Sequence, residues 1–265
     1  MRQGRGGRLA LGIVTLLILL FIYVPIALIF VYSFNAGDTP AWPPTGATLR
    51  WWGVAIQNTA LQQAFLTSLA AALGATAIAL VLGTLAAIGV SRYEFFGRES
   101  ISFIAVLPIA LPGIVTGMAL STTFAQIDLP LGFMAIVVGH ATFCIVIVYN
   151  NAIARLRRVS HSIEEASADL GADTWTTFRY ITFPAIRSAM LAGALLAFAL
   201  SFDEVIVTIF MAGGVKTLPI WIFQSFRLNN QVPLVNVAGV VAILLSVVPV
   251  YIATRISSSA VGART

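Results

Sequence analysis

The stretch "EEASADLGADTWTTFRYITFPAI", residues 164–186, decides how this chain is read. Long apolar runs flank it on both sides, yet it carries Glu164, Glu165, Asp169, Asp173 and Arg179, a central Gly171 and a late Pro184. Just before it, Ser162 and Glu165 stand in S-x-x-E spacing, a capping box that starts a short helix. Ile163, Ala166 and Leu170 then recur along one side at helical spacing. Gly171 fits the position just past a helix C-terminus, where left-handed backbone is needed and a missing Cβ removes the strain. Asp173 suits the N-cap of a second helix, since its carboxylate accepts free backbone N–H groups and complements the positive helix end. Trp175, Phe178 and Ile181 supply an apolar stripe. Pro184, which lacks an N–H and disfavours helix before it, is expected to end the turn. The reading is two short helices meeting at a glycine elbow, each too short to be stable alone in water. Such an elbow either lies on the lipid interface or docks as a knob into a groove of a partner protein.

The rest of the chain says which environment surrounds it. Of its 265 residues 59% are hydrophobic and 9% charged, against about 25% charged in soluble domains. The sequence therefore reads as an all-α bilayer protein, with one transmembrane domain over residues 1–265. Spans need about 20 apolar residues to cross roughly 30 Å of hydrocarbon. Six stretches qualify: 9–34, 64–90, 101–124, 131–153, 188–211 and 233–255, with the polar insert, 160–186, between the fourth and fifth. The first is preceded by Arg2, Arg5 and Arg8 but is longer than the apolar region of a signal peptide, so it reads as an uncleaved signal-anchor helix. Placing the N-terminus inside leaves only Arg50, Lys216 and Arg227 of the 15 basic residues outside. The positive-inside rule then puts both termini and the insert in the cytoplasm. The net charge of +5 thus belongs to topology and not to a nucleic-acid partner. A single cysteine, Cys144, excludes an intrachain disulfide and gives no hint of a metal cluster.

The spacing inside the insert carries a resemblance. Glu165-Ala166-Ser167, three residues, Gly171, nine residues, Ile181, then Phe183-Pro184 resembles the EAA motif, E-A-A-x3-G-x9-I-x-L-P, with Ser167 in place of alanine and Phe183 in place of leucine. That motif marks the membrane-spanning subunits of bacterial ABC importers. "YVPIALIFVYSFN" at residues 23–35, "LPGIVTGMAL" at 111–120 and "LSFDEVIVTIFMAGG" at 200–214 extend the likeness over nearly the whole chain. They resemble the second permease of spermidine/putrescine-type importers. Relatives for iron, thiamine or phosphonates share parts of these stretches. The resemblance implies the type I importer permease fold in the bacterial inner membrane. It makes the insert a coupling helix gripped by an ATPase, through Glu164, Glu165, Ala166, Gly171, Ala172, Trp175, Phe178, Ile181 and Pro184. It further implies a second homologous permease, an ATPase dimer that binds ATP and Mg, and an extracellular or periplasmic substrate-binding protein. This chain itself is expected to carry no catalytic residue, metal or cofactor.

The residues agree that the engine lies elsewhere. "FMAGGVKT" at 210–217 is a P-loop decoy: Val215 and Phe210 stand where the glycines must be, and its own glycines read as a chain turn. Asp203 and Glu204 are the acids that need explanation, because a carboxylate near a membrane helix centre costs about 2.5–3.5 kcal/mol on insertion scales. Either the fifth span ends early and both are solvated, or one faces a water-filled path and attracts a cationic solute. Adjacent helical residues point about 100° apart, so one acid can line a path while the other bonds a neighbour, with Asp203 the first choice for the path. Asp128 in a short outer turn, and Thr116 and Ser121 on the third span, are further path candidates. Pro108 and Pro112 are expected to kink that span. His140, alone at membrane depth, reads as a neutral hydrogen-bonded contact between helices and not as a metal ligand. Gly74, Gly83 and Gly89 read as close-packing positions. A self-contained secondary transporter or channel would show repeats and matched broken helices, and an intramembrane enzyme a nucleophile–base pair. Neither pattern is present in the sequence.

Overall fold

The computed structural model describes residues 5–98, 100, 111–227 and 232–262. Among them the regular structure is helical. The exception is an isolated antiparallel bridge between Asn35 and Ala47. The helices are α1 (Arg5–Ser33), α2 (Arg50–Gln57), α3 (Thr59–Arg92), α4 (Gly113–Gln126), α5 (Phe133–Leu156), α6 (His161–Asp169), α7 (Thr174–Phe202), α8 (Ile206–Met211), α9 (Leu218–Ser225) and α10 (Val232–Gly262). Five of the described helices, α1, α3, α5, α7 and α10, are long and apolar enough to cross a membrane. The expected span 101–124 falls partly outside the described residues. Its described part includes α4, with Pro112 at that helix's N-cap; residues 101–110, on which the expected kink depends, lie outside the described residues. Pro108 lies outside the described residues.

The chain divides into two compact units, one of Met1–Gln62 with Ile222–Ala242, the other of Gln63–Trp221 with Ile243–Thr265. In the first, α1 exposes apolar side chains on every side, Leu9, Leu16 and Phe21 among them, as expected of a helix solvated by lipid. Asn35 closes the loop after it. Its buried amide accepts from Thr45 N–H at 3.0 Å and donates to the carbonyls of Gly37 and Thr39 at 3.3 and 3.2 Å.

In the second unit α5 is the central helix. The core cluster is small: Ala71, Ala75 and Ala79 of α3 meet Ile136, Cys144 and Val148 of α5, Ala197 of α7 and Val207 and Met211 of α8. Lipid supplies no hydrophobic drive between helices, so small residues that let backbones approach do the packing. A Cβ on Gly83 would lie 2.8 Å from the Ile145 carbonyl oxygen, and one on Gly74 3.3 Å from Val137. Gly89, by contrast, has nothing within 4 Å of that point, so the packing role expected of it does not hold. The glycines of the P-loop decoy turn the chain: Gly213 and Gly214 have φ of +52° and +99°.

Candidate coupling insert and helix break

The insert begins two residues earlier than the capping box suggests. Ser160, not Ser162, is the N-cap of α6, and its hydroxyl accepts from Ser162 N–H at 3.3 Å. Glu165 turns instead to His161, 3.0 Å away and one helical turn back, in an exposed pair. The elbow forms as its residues dictate. Gly171, at φ +84°, donates to Ala168 O at 2.8 Å and Ala172 to Ser167 O at 3.1 Å, the paired bonds of a Schellman C-cap. Asp173 then caps α7, accepting from Thr176 N–H at 2.7 Å. Its side-chain hydrogen bond with Thr176, then the bond from Thr176 N–H, holds the carboxyl below the ordinary carboxylate range. Ser167, the departure from the motif's alanine, bonds Thr177 at 3.0 Å and ties the two arms of the elbow together.

The helix does not stop at Pro184. It runs unbroken from Thr174 to Phe202, through a π turn at Phe178–Thr182. There the Phe183 N–H reaches back five residues to Phe178 O. The widened turn directly before Pro184 accommodates a residue that has no N–H and would crowd a regular turn. The second arm of the elbow is thereby continuous with a membrane-length helix.

The apolar side chains of the insert stay uncovered. Leu170 is 90% exposed and Trp175 65%, and Ile163, Ala166 and Tyr180 are exposed as well. Phe178 and Ile181 are half-buried. Trp175, Phe178 and Phe183 form a row of rings at centroid distances of 5.6 and 6.0 Å. Gly171 and Pro184 are exposed and Ala172 half-buried. Alongside runs a groove of ≈ 650 Å³, lined by Leu85 and Ile88 of α3, by Tyr93 just past its end, and by Ala168, Trp175 and Phe178. The two adjacent glutamates part company. Glu165 faces outward, whereas Glu164 is nearly covered and ion-paired with Arg92: Nη2 donates to Oε1 at 3.0 Å, and Nε lies 2.8 Å from Oε2. Thr182 donates to the same Oε1 at 2.8 Å. Neither Arg92 nor Thr182 stands out in the sequence, because they lie 72 and 18 residues from Glu164.

The second site is the break between α7 and α8. The helix ends at Phe202 and resumes at Ile206. Glu204 is used by the fold: its Oε1 accepts from Val207 N–H at 3.0 Å, satisfying the start of α8. Asp203 is exposed. His140 spans the break from α5, 2.8 Å from Ser201 on one side and 2.8 Å from Thr208 on the other. Thr208 gives its hydroxyl proton to Glu204 O at 2.7 Å. It must therefore accept from His140, which makes Nε2 the protonated nitrogen and Nδ1 the acceptor from Ser201. The result is one directed chain, Ser201 to His140 to Thr208 to the Glu204 carbonyl, clamped across the gap. This is the neutral interhelical contact that the sequence suggests for His140. Helix α4 packs on α8, Gly113 against Ile206 and Gly117 against Phe210. Of its two path candidates, Thr116 is half-buried, with no hydrogen-bond partner for its hydroxyl among the described residues, and Ser121 is half-buried. Asp128 lies in the turn beyond α4, exposed, at φ +55°. Among the described residues no group of three or more His, Cys, Asp or Glu side chains is placed to hold a metal ion.

A helical protein with several membrane-length spans, carrying at one helix end a capped elbow with uncovered aromatic side chains, has the form of a transport subunit. Residues 79–264 match the family described as binding-protein-dependent transport system inner membrane component. The chain is 35% identical over 226 residues to the putrescine transport system permease protein PotI of Escherichia coli (strain K12), covering 82% of this chain and 80% of that protein. It is 32% identical over 246 residues to the spermidine/putrescine permease PotC of the same strain, covering 92% of each. A putative 2-aminoethylphosphonate permease, PhnV, of Salmonella paratyphi A is 29% identical over 231 residues, covering 84% of this chain and 85% of that protein. In fold the chain is similar to a bacterial ABC transporter that imports the acidic polysaccharide alginate, with a TM-score of 0.72, 17% identity and coverage of 96% and 98%. It is also similar to the MetNI methionine ABC transporter in an inward-facing form, with a TM-score of 0.60, 13% identity and coverage of 80% and 98%. The chain belongs to this family and is a permease subunit of an ABC importer.

Proposed function

We propose that the chain is the permease of a polyamine importer of the putrescine and spermidine class, placed in the bacterial inner membrane. In this reading six spans carry it across the bilayer with both termini in the cytoplasm. It works beside a second, homologous permease, in lipid, with an ATPase dimer that binds ATP and Mg and a substrate-binding protein outside. The observation that carries the reading is the elbow at residues 160–186. It is internally capped at Ser160, Gly171 and Asp173, yet it leaves Leu170 and Trp175 uncovered. A polar fold with an apolar face suits a groove on a partner, in the helix-in-groove manner. Continuity of α7 through the π turn lets a push on the elbow travel into a span, and alternating access follows as the spans rock.

For the substrate class, the support is the pair of polyamine permease relatives together with Asp203. Glu204 is committed to capping α8, so Asp203 is the acid free to attract a cationic solute. A second reading, a permease for another small solute such as a phosphonate, is favoured by the 2-aminoethylphosphonate relative alone. The test is ATPase activity of the complete complex in liposomes. Its binding protein is supplied empty or loaded with putrescine, spermidine, 2-aminoethylphosphonate or ferric iron. The expected result is stimulation by the polyamines, reduced in Asp203→Asn. Stimulation by a different solute, unaffected by Asp203→Asn, overturns the polyamine assignment and leaves the coupling insert standing.

A further inference from the structure

We infer that Arg92, Glu164 and Thr182 form a strut that transmits movement of the insert to two spans at once, and that Glu164 is its positioning residue. The inference deepens the coupling reading above and rests on it. Helix α6 contains no fully buried residue, so apolar packing does not hold the first arm of the elbow to the bundle. Beside the Ser167–Thr177 bond to α7, what ties it to α3 is one carboxylate. Glu164 accepts one hydrogen bond from Nη2 of Arg92, the last residue of α3, with Nε of the same guanidinium 2.8 Å from its other oxygen, and accepts a second hydrogen bond from Thr182, the last residue of the π turn. The two charged side chains keep only 11% and 13% of their surface. At such burial a charge-assisted ion pair is screened far less than the exposed His161–Glu165 pair one residue on, at 55% and 65% exposure. Three elements thus converge on a single side chain: α3, α6 and the π turn of α7. Rotating α6 about its axis must drag Arg92 with it and pull on the π turn. A π turn has a mismatched bond register and often marks a functional site.

The strut differs from a packing contact in what its loss does. Without it the elbow still docks, through Trp175 and Leu170, and ATP is still hydrolysed, but the stroke is not passed on. The test uses the complete importer in liposomes. It reads four quantities: copurification of the ATPase, thermal stability, ATP hydrolysis, and solute moved per ATP. Glu164→Gln keeps size and the Thr182 bond while removing the charge. Thr182→Val removes its bond to Glu164 in an isosteric side chain. Glu164, at 13% exposure, is turned inward and is not part of the exposed docking face expected of it, so normal copurification and hydrolysis are expected, with solute per ATP lowered by about tenfold in Glu164→Gln, within the usual range of a coupling between sites. A smaller drop is expected in Thr182→Val. The charge reversal Arg92→Glu with Glu164→Arg should recover most of the ratio lost in either single reversal. An unchanged ratio in Glu164→Gln overturns the strut. So does a fall in copurification or stability that tracks the fall in transport, or a double reversal no better than the singles. Failure of the wild-type ATPase to copurify would instead remove the coupling reading itself.

Discussion

Replacing His140 by leucine tests whether the helix break is held by a hydrogen-bond chain or by packing alone. The imidazole makes two interhelical contacts, to Ser201 and Thr208. Side-chain bonds between membrane helices average about 0.6 kcal/mol and reach about 1.7, so His140→Leu should destabilise by about 1 kcal/mol and by no more than about 3. The lower figure is favoured because Ser201, freed of its partner, can turn its hydroxyl back to a carbonyl of its own helix. Thr208→Val removes both the acceptor for His140 and the bond to Glu204 O, and should cost a similar amount. The two substitutions delete the same central bond. Their double mutant should therefore be less destabilised than the sum, by the one shared bond, about 0.6 kcal/mol. Equilibrium unfolding of the purified complex in mixed micelles gives the cycle, and transport by the same variants shows whether loosening the break disturbs function. Additivity to within about 0.4 kcal/mol would refute the chain, because independent sites add to that tolerance.

Other outcomes follow from close contacts and from the caps. Gly83→Val puts a Cβ 2.8 Å from the Ile145 carbonyl and 3.0 Å from Val148. Neither helix can yield without losing its neighbour, so a cost of about 1–3 kcal/mol in unfolding is expected; Gly89→Val, with open space at the same construction, should be neutral. Gly171→Ala meets no atom within 4 Å but must hold φ +84°, at about 1–2 kcal/mol, and ATPase copurification should weaken only slightly. Gly171→Pro cannot adopt that φ and deletes the bond to Ala168 O, so copurification should be lost while membrane insertion persists. Phe178→Asp should have the same result by placing a charge in the ring row between Trp175 and Phe183.

The legible parts of the sequence were those whose physics is local. Gly171 and Asp173 set the elbow because a left-handed residue and an N-cap each act within a few positions, and both do so in the structure. The composition showed the lipid-facing helices for the same reason: α1 needs no partner to explain its exposed leucines. Where two local rules competed, spacing could not choose. The S-x-x-E spacing pointed to Ser162, but Ser160 caps the helix and Glu165 pairs with His161 instead of returning to the N-terminus. Pro184 looked like a terminator because the rule assumes a regular turn, and the π turn before it suspends that assumption. What remained hidden was every contact that closes a long loop. Glu164 and Glu165 are neighbours of identical chemistry, and only the return of Arg92 from the end of α3 assigns one to the interior and leaves the other to face outward. His140 joins Ser201 and Thr208 across 61 and 68 residues in the same way. The motif therefore marks the exposed elbow, while Arg92 and Glu164, two of the three residues that tie it to the spans, lie outside residues 165–184. A search for coupling defects confined to residues 165–184 would miss Arg92, half of the ion pair that holds the insert to α3.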